Sequence, residues 1–191
     1  MKMETSKIFS EKTSLIIHEC DRVLKSIDPL AVERLLDEIE NADKVFLVGV
    51  GRVFLSLQAI AKRLNHLGIP TYCVGQVDEP PISSKDLLIV GSSSGETIIP
   101  VSIAGKAHDF GAKIAYIGAN HNSTVRKISN IFIPIPITKA IQHETVVASQ
   151  QPMTSLFEQV LLLFGDAITL MLMERMGLQE SDILRKHANL E

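Results

Sequence analysis

Apolar residues recur along this chain at two different spacings, and the changes from one to the other mark out its elements. Residues 8–27 and 29–39 carry them at helical intervals. The second segment opens with Asp28, which supplies a capping oxygen, and Pro29, whose missing N–H costs nothing in a first turn. Two leading helices are predicted. From Lys44 onward the pattern changes to short apolar runs separated by amphipathic stretches. Strands are expected over 44–48, 71–74, 86–90, 113–117 and 131–137. Helices are expected over 54–67, closed by Gly68, over 97–110, closed by Gly111, and over 124–129. The strand runs are nearly continuous in Val, Ile and Leu, which predicts an α/β fold with a parallel sheet covered on both faces by helices. Pro134 and Pro136 suit the last run to an edge. Right-handed crossovers leave few topologies. If the order is flavodoxin-like, 2-1-3-4-5, the loops after the first and third strands flank the topological switch point, where open α/β sheets bind ligands.

Beyond the sheet, 138–150 reads as irregular, and a long apolar helix is expected over 156–176. Glu158, Asp166 and Glu174 interrupt that helix, and no uncharged run approaches the ~18 to 20 residues of a membrane span. It is expected to be a buried or subunit-facing helix, with no membrane partner.

The two loops at the switch point differ in chemistry. Gly49-Val50-Gly51-Arg52 follows the first strand, and Ser92-Ser93-Ser94-Gly95-Glu96-Thr97 follows the third. The second collects hydroxyls and backbone amides at a helix start, where N–H groups lack intrahelical partners and the helix dipole favours an anion. Pro100 sets the register, because proline is tolerated only in the first turn; the helix then begins near Thr97. A phosphate cradle and an over-provisioned helix cap both fit these residues. Arg52 is either a phosphate or hydroxyl contact or an exposed arginine at a helix start. Glu158 stands in a mostly apolar helix start, where a carboxylate is costly unless solvated, paired or useful. His143-Glu144, in the irregular stretch, is a further candidate pair.

Composition narrows the classes. A chain of 191 residues, 46% of them apolar, builds one well-buried core, so residues 1–191 are read as a single domain. A net charge of −3 without a basic stripe excludes a nucleic-acid surface, so an anionic ligand needs a local site. Cys20 and Cys73 form no CxxC pair, and the first seven residues are polar, which together suggest a reducing cytoplasm without export. The six histidines show neither HxH nor i,i+4 spacing, so no metal is expected. Gly49-x-Gly51 lacks the third glycine of a dinucleotide fingerprint, position 54 being Phe, and the second strand ends without an acid for a ribose. A phosphoacceptor receiver wants acids after its first strand, and none stands there.

Taken together, residues 92–97, the helix end Arg63-Leu64-Asn65-His66-Leu67-Gly68, the run Gln151-Pro152-Met153-Thr154-Ser155-Leu156-Phe157-Glu158-Gln159 and the terminal His187-Ala188-Asn189-Leu190-Glu191 resemble the sugar isomerase (SIS) domain family. Within it the chain is most similar to the 6-phospho-3-hexuloisomerases, over nearly its full length. The resemblance implies a three-layer α/β/α, flavodoxin-like five-stranded parallel sheet, and a cytoplasmic homotetramer that interconverts 3-hexulose 6-phosphate and fructose 6-phosphate without a cofactor. It implies that Ser92, Ser94, Gly95, Glu96 and Thr97 belong to the phosphate loop, with Ser93 where the family usually has glycine. Gly51 and Arg52 match the first loop, Glu158 the proton-abstracting glutamate, and His187 a histidine that approaches the active site, often from a neighbouring subunit. Two further stretches depart from the pattern. Val53 and Phe54 stand where relatives continue Ser-Gly. Residues 75–81 lack the family's glutamate after its glycine and its threonine before the prolines. A non-catalytic phosphosugar-binding regulatory domain, or an isomerase of another sugar phosphate, is therefore the alternative.

Overall fold

A computed structural model of the chain describes residues 2–138 and 147–190. Helices α1 (Lys2–Lys25) and α2 (Pro29–Asn41) come first, and the Asp28 side chain accepts from the Leu30 N–H at 3.0 Å to cap the second. The alternating part comes next as β1 (Val45–Val48), α3 (Arg52–Leu67), β2 (Thr71–Cys73), β3 (Leu87–Gly91), α4 (Ile98–Asp109), β4 (Lys113–Gly118), α5 (Thr124–Ile128) and β5 (Ile131–Pro134). All five strands are parallel, in the order β2-β1-β3-β4-β5. That is the predicted order.

The unbroken apolar runs have a simple cause. Within β1 and β3, Val45, Leu47, Leu87 and Ile89 face α2, α3 and the later helix α6 (Ser155–Arg175), while Phe46, Val48, Leu88 and Val90 face the side covered by α4 and α5. Both faces of each strand are buried, so alternation has nothing to discriminate. The link from β2 to β3 carries no helix, and its Ile82 packs on the second face.

Helix α6 buries Phe157, Val160, Leu161, Phe164, Ile168 and Leu172 against the core. A methyl built on Gly165 would run into the Ile60 side chain, so α3 and α6 touch where one of them has no side chain. At its far end Arg175 pairs with Glu33, Asp37 and Glu40 of α2. By length and composition α6 could cross a membrane, yet over half of its most apolar stretch is buried inside the fold. Leu162, Leu163 and Leu170, on its other side, are exposed.

Several boundaries differ from the predicted ones. The run 131–137 is not one strand: β5 stops at Pro134, and the Ile137 N–H donates to the Ile135 carbonyl at 2.9 Å, a tight turn about Pro136, which has no N–H for a ladder. Ile137–Thr138 (β6) then pairs in parallel with Val147–Ala148 (β7), so the stretch read as irregular contains a two-stranded ribbon. His143 and Glu144 lie outside the described residues. A short terminal helix, α7 (Glu180–Leu184), comes after α6; its capping box uses Gln179 and Asp182.

Candidate active site

The ends of β1 and β3 lie side by side, Val48 opposite Val90, so the loops that leave them share one crevice. A cavity of about 390 Å³ opens there, lined by Val50, Gly51, Arg52, Val53, Ser92, Ser93, Ser94, Thr97, Thr154 and Glu158. The two loops singled out from the sequence thus meet, and the start of α6 closes the third side.

The loop after β3 is built as a cluster of hydroxyls. Thr97 is the N-cap of α4, but its side chain makes no capping bond; its Oγ1 lies 3.4 Å from both Ser92 Oγ and Ser94 Oγ. The carbonyls of the loop are occupied on its outer edge. Ser93 accepts from the Ala119 N–H at 2.9 Å, Ser94 from Asn120 Nδ2 at 3.1 Å, and Gly95 from the Val125 N–H at 3.3 Å. Three hydroxyls and the amides of the first turn of α4 therefore gather at the positive end of a twelve-residue helix. Partnerless amides and the helix dipole make such a place favourable to an anion.

Two members of the predicted loop do other work. Gly95 does not line the cavity: its φ is 63°, and a methyl there would strike Ser123 and sit 2.6 Å from the Tyr116 hydroxyl, so the position demands glycine for backbone and space alike. The Glu96 side chain turns away from the cavity to the start of α5, where it accepts from the N–H and Oγ1 of Thr124, each at 2.8 Å. These bonds hold the Glu96 carboxyl below its ordinary pKa. Ser92, Ser93, Ser94 and Thr97 line the cavity, while the Glu96 side chain and the Gly95 position brace the loop from outside it.

Across the cavity, Glu158 sits in the first turn of α6 with 7% of its surface exposed. Its Oε1 accepts from Thr154 Oγ1 at 2.8 Å, and its Oε2 pairs with Arg52 Nε. The Ser56 hydroxyl donates to the Glu158 backbone carbonyl at 2.9 Å, locking the turn of α6 to α3. Arg52 opens α3 directly after Gly51, whose φ of 60° turns the chain from strand to helix. Two-thirds of the Arg52 side chain is exposed, so one positive charge borders both the carboxylate and the cavity mouth. Thr154 and Ser56 were missed from sequence. Thr154 lies one helical turn before Glu158, a spacing that becomes meaningful only once the helix start is known.

No protein-family model matches the chain. Full-length relatives do. It is 35% identical over 189 residues to a Bacillus subtilis protein named 3-hexulose-6-phosphate isomerase, covering 99% of this chain and 100% of that one. It is 34% identical over 178 residues to a Mycobacterium gastri protein of the same name, covering 93% and 89%. The chain belongs to the 3-hexulose-6-phosphate isomerase family. A solved Methanococcus jannaschii member, whose structure was taken to infer that same molecular function, superposes with a TM-score of 0.83 at 30% identity, covering 95% of this chain and 99% of that one.

The departures from the family pattern fall in different places. Val53 lines the cavity and packs its methyl near Gly49 and Gly91, so an apolar wall replaces the hydroxyl. Phe54 turns into the core and leaves the cavity unsealed. The 75–81 stretch borders a separate cavity with Phe46, Lys106 and Phe110 and does not line this one. His187 lies elsewhere in the chain. Its ring packs 5.2 Å from that of His66, and the neighbouring Lys186 Nζ donates to the Leu67 carbonyl at 3.0 Å. Those contacts are at the other end of α3 from Arg52, about 20 Å along the helix axis. Within this chain the fold does not bring His187 to Glu158.

Proposed function

We propose that the cavity isomerises a sugar phosphate, converting 3-hexulose 6-phosphate to fructose 6-phosphate through a cis-enediol and without a cofactor. The phosphate is held by the hydroxyls of Ser92, Ser94 and Thr97 and by amides at the start of α4. Glu158 removes the proton on the carbon next to the carbonyl and returns it to the neighbouring carbon. Arg52, beside that carboxylate, faces the charge that develops on the enediolate oxygens. The observation that carries this reading is the meeting of a buried, cavity-lining carboxylate with the hydroxyl cradle in one crevice of metabolite size.

The family relation supports the substrate class, the relatives being named for that reaction. His187 enters this scheme from a neighbouring subunit of a homotetramer, working in the cytoplasm, where it carries protons between the substrate oxygens. The exposed Ile17, Leu162, Leu163 and Leu170 on α1 and α6 support association through that side.

Glu158→Gln keeps the shape and removes the base. Turnover is expected to fall by about 10²- to 10⁴-fold, the typical contribution of a positioned base, with loss of solvent-deuterium incorporation into fructose 6-phosphate. Turnover near that of the unsubstituted protein would remove Glu158 from the mechanism. The apolar wall at Val53 favours a second reading, a phosphosugar sensor without chemistry. Tight binding of fructose 6-phosphate with no deuterium exchange in the native protein selects that reading.

A further inference from the structure

The segment that leads into the Glu158 helix is hydrogen-bonded to a buried carboxylate on the first helix. Glu19 of α1 is only 4% exposed, and its hydrogen bonds come from one short stretch of chain. Its Oε2 accepts from Ser149 Oγ at 2.8 Å and from Gln151 Nε2 at 2.9 Å, and its Oε1 accepts from the Gln150 N–H at 2.9 Å. Ser149 Oγ in turn accepts from the Gln151 N–H at 3.0 Å, so the segment wraps around a single carboxylate. Burial pushes the Glu19 carboxyl up, but the bonds from Gln150, Gln151 and Ser149, with the charge of Arg22, outweigh it and hold the group below its ordinary value.

The wrapped segment leads directly into the site. Pro152, Met153 and Thr154 run straight into α6, and Met153 adopts φ 54°, a left-handed conformation that a non-glycine residue keeps only where its surroundings impose it. Thr154, next to that turn, both lines the cavity and donates to Glu158. A carboxylate with three donors is an expensive arrangement to bury, and Glu19 itself does not line the cavity.

We propose that Glu19 is a positioning residue, a template on which residues 149–151 fold so that the Met153 turn sets Thr154 and Glu158 at the substrate. This inference rests on the reading of Glu158 as base. It also predicts a division of labour, since the phosphate cradle hangs on α4 and the 119–125 segment, to which Glu19 makes no hydrogen bond.

The test is steady-state kinetics with fructose 6-phosphate on the full chain, alongside hydrogen exchange of the peptide spanning 149–155. Glu19→Gln places an amide N–H₂ where donors already point. It is expected to lower kcat by about 10- to 100-fold through a displaced base, to leave KM unchanged, and to speed exchange across 149–155. Ser149→Ala, which removes one donor without unburying a charge, is expected to move the same two readouts in the same direction by less. Val23→Ala, one turn along α1 and buried in the core, loosens the helix while leaving every hydrogen-bond partner of Glu19 in place and is expected to leave kcat intact. Unchanged kcat in Glu19→Gln overturns the proposal, as does a loss that Val23→Ala reproduces. Glu158→Gln run in parallel separates the two readings. If it stays active, the base assignment falls and the positioning role with it; if it is inactive while Glu19→Gln turns over normally, only the positioning role falls.

Discussion

At position 158 the chain puts a carboxylate among the buried Leu156, Phe157, Val160 and Leu161, and the burial is tolerable because Arg52 and Thr154 meet both oxygens. Glu96, by contrast, is acidic and near the cavity yet spends its carboxylate on Thr124. The two glutamates look alike in sequence, each close to a helix start. Their surroundings separate them: one borders the crevice, the other ties one loop to the next. Thr124→Val removes the hydroxyl donor while keeping the amide. Because the tie shapes the cradle and not the base, KM for fructose 6-phosphate should rise while kcat holds. A fall in kcat at constant KM would place Glu96 in the chemistry instead.

Among the elements, α3 and α6 matter most, since the first opens with Arg52 and the second carries Glu158 in its first turn. Their spacing is set where Gly165 meets Ile60. Gly165→Ala forces a methyl into that contact. Overpacking of this kind costs about 1 to 3 kcal/mol, which for a domain of this size corresponds to a fall in Tm of about 2 to 4 °C per kcal/mol. Spreading the helices also pulls Arg52 from Glu158, so kcat should drop in the same variant. Differential scanning calorimetry and kinetics on one preparation check both; an undisturbed Tm would mean that the helices have room at this point.

For the whole molecule, Glu19 links α1 to the segment before α6, and its depressed carboxyl makes that link sensitive to pH. The folded-state value lies below the unfolded one. The contribution to stability is therefore complete above the unfolded-state value of about 4.3 and is lost as pH falls through the lower folded-state value. Urea unfolding of the native protein and of Glu19→Gln across pH should show the largest gap near neutrality, closing in the acid range. A gap that widened on acidification would contradict the sign.

The sheet was legible because burial on both faces leaves a one-dimensional trace: unbroken apolar runs at 45–48, 87–90 and 114–117, with amphipathic helices between them, admit few parallel topologies. The hydroxyl loop was legible for a similar reason, since glycine, serine and threonine before a helix with Pro100 in its first turn form a local signal. The break at Pro136, the ribbon of β6 and β7 and the turn at Met153 were not legible. Each depends on partners distant in the chain, or on a backbone conformation that its residue type does not announce. Which glutamate faces the cavity, and that Glu19 supports it from α1, are decided by the same long-range packing. Residue order prescribes hydrogen-bonding capacity and the rhythm of burial; only the folded chain determines which donor reaches which acceptor, because those distances are set by the packing of helices against the sheet.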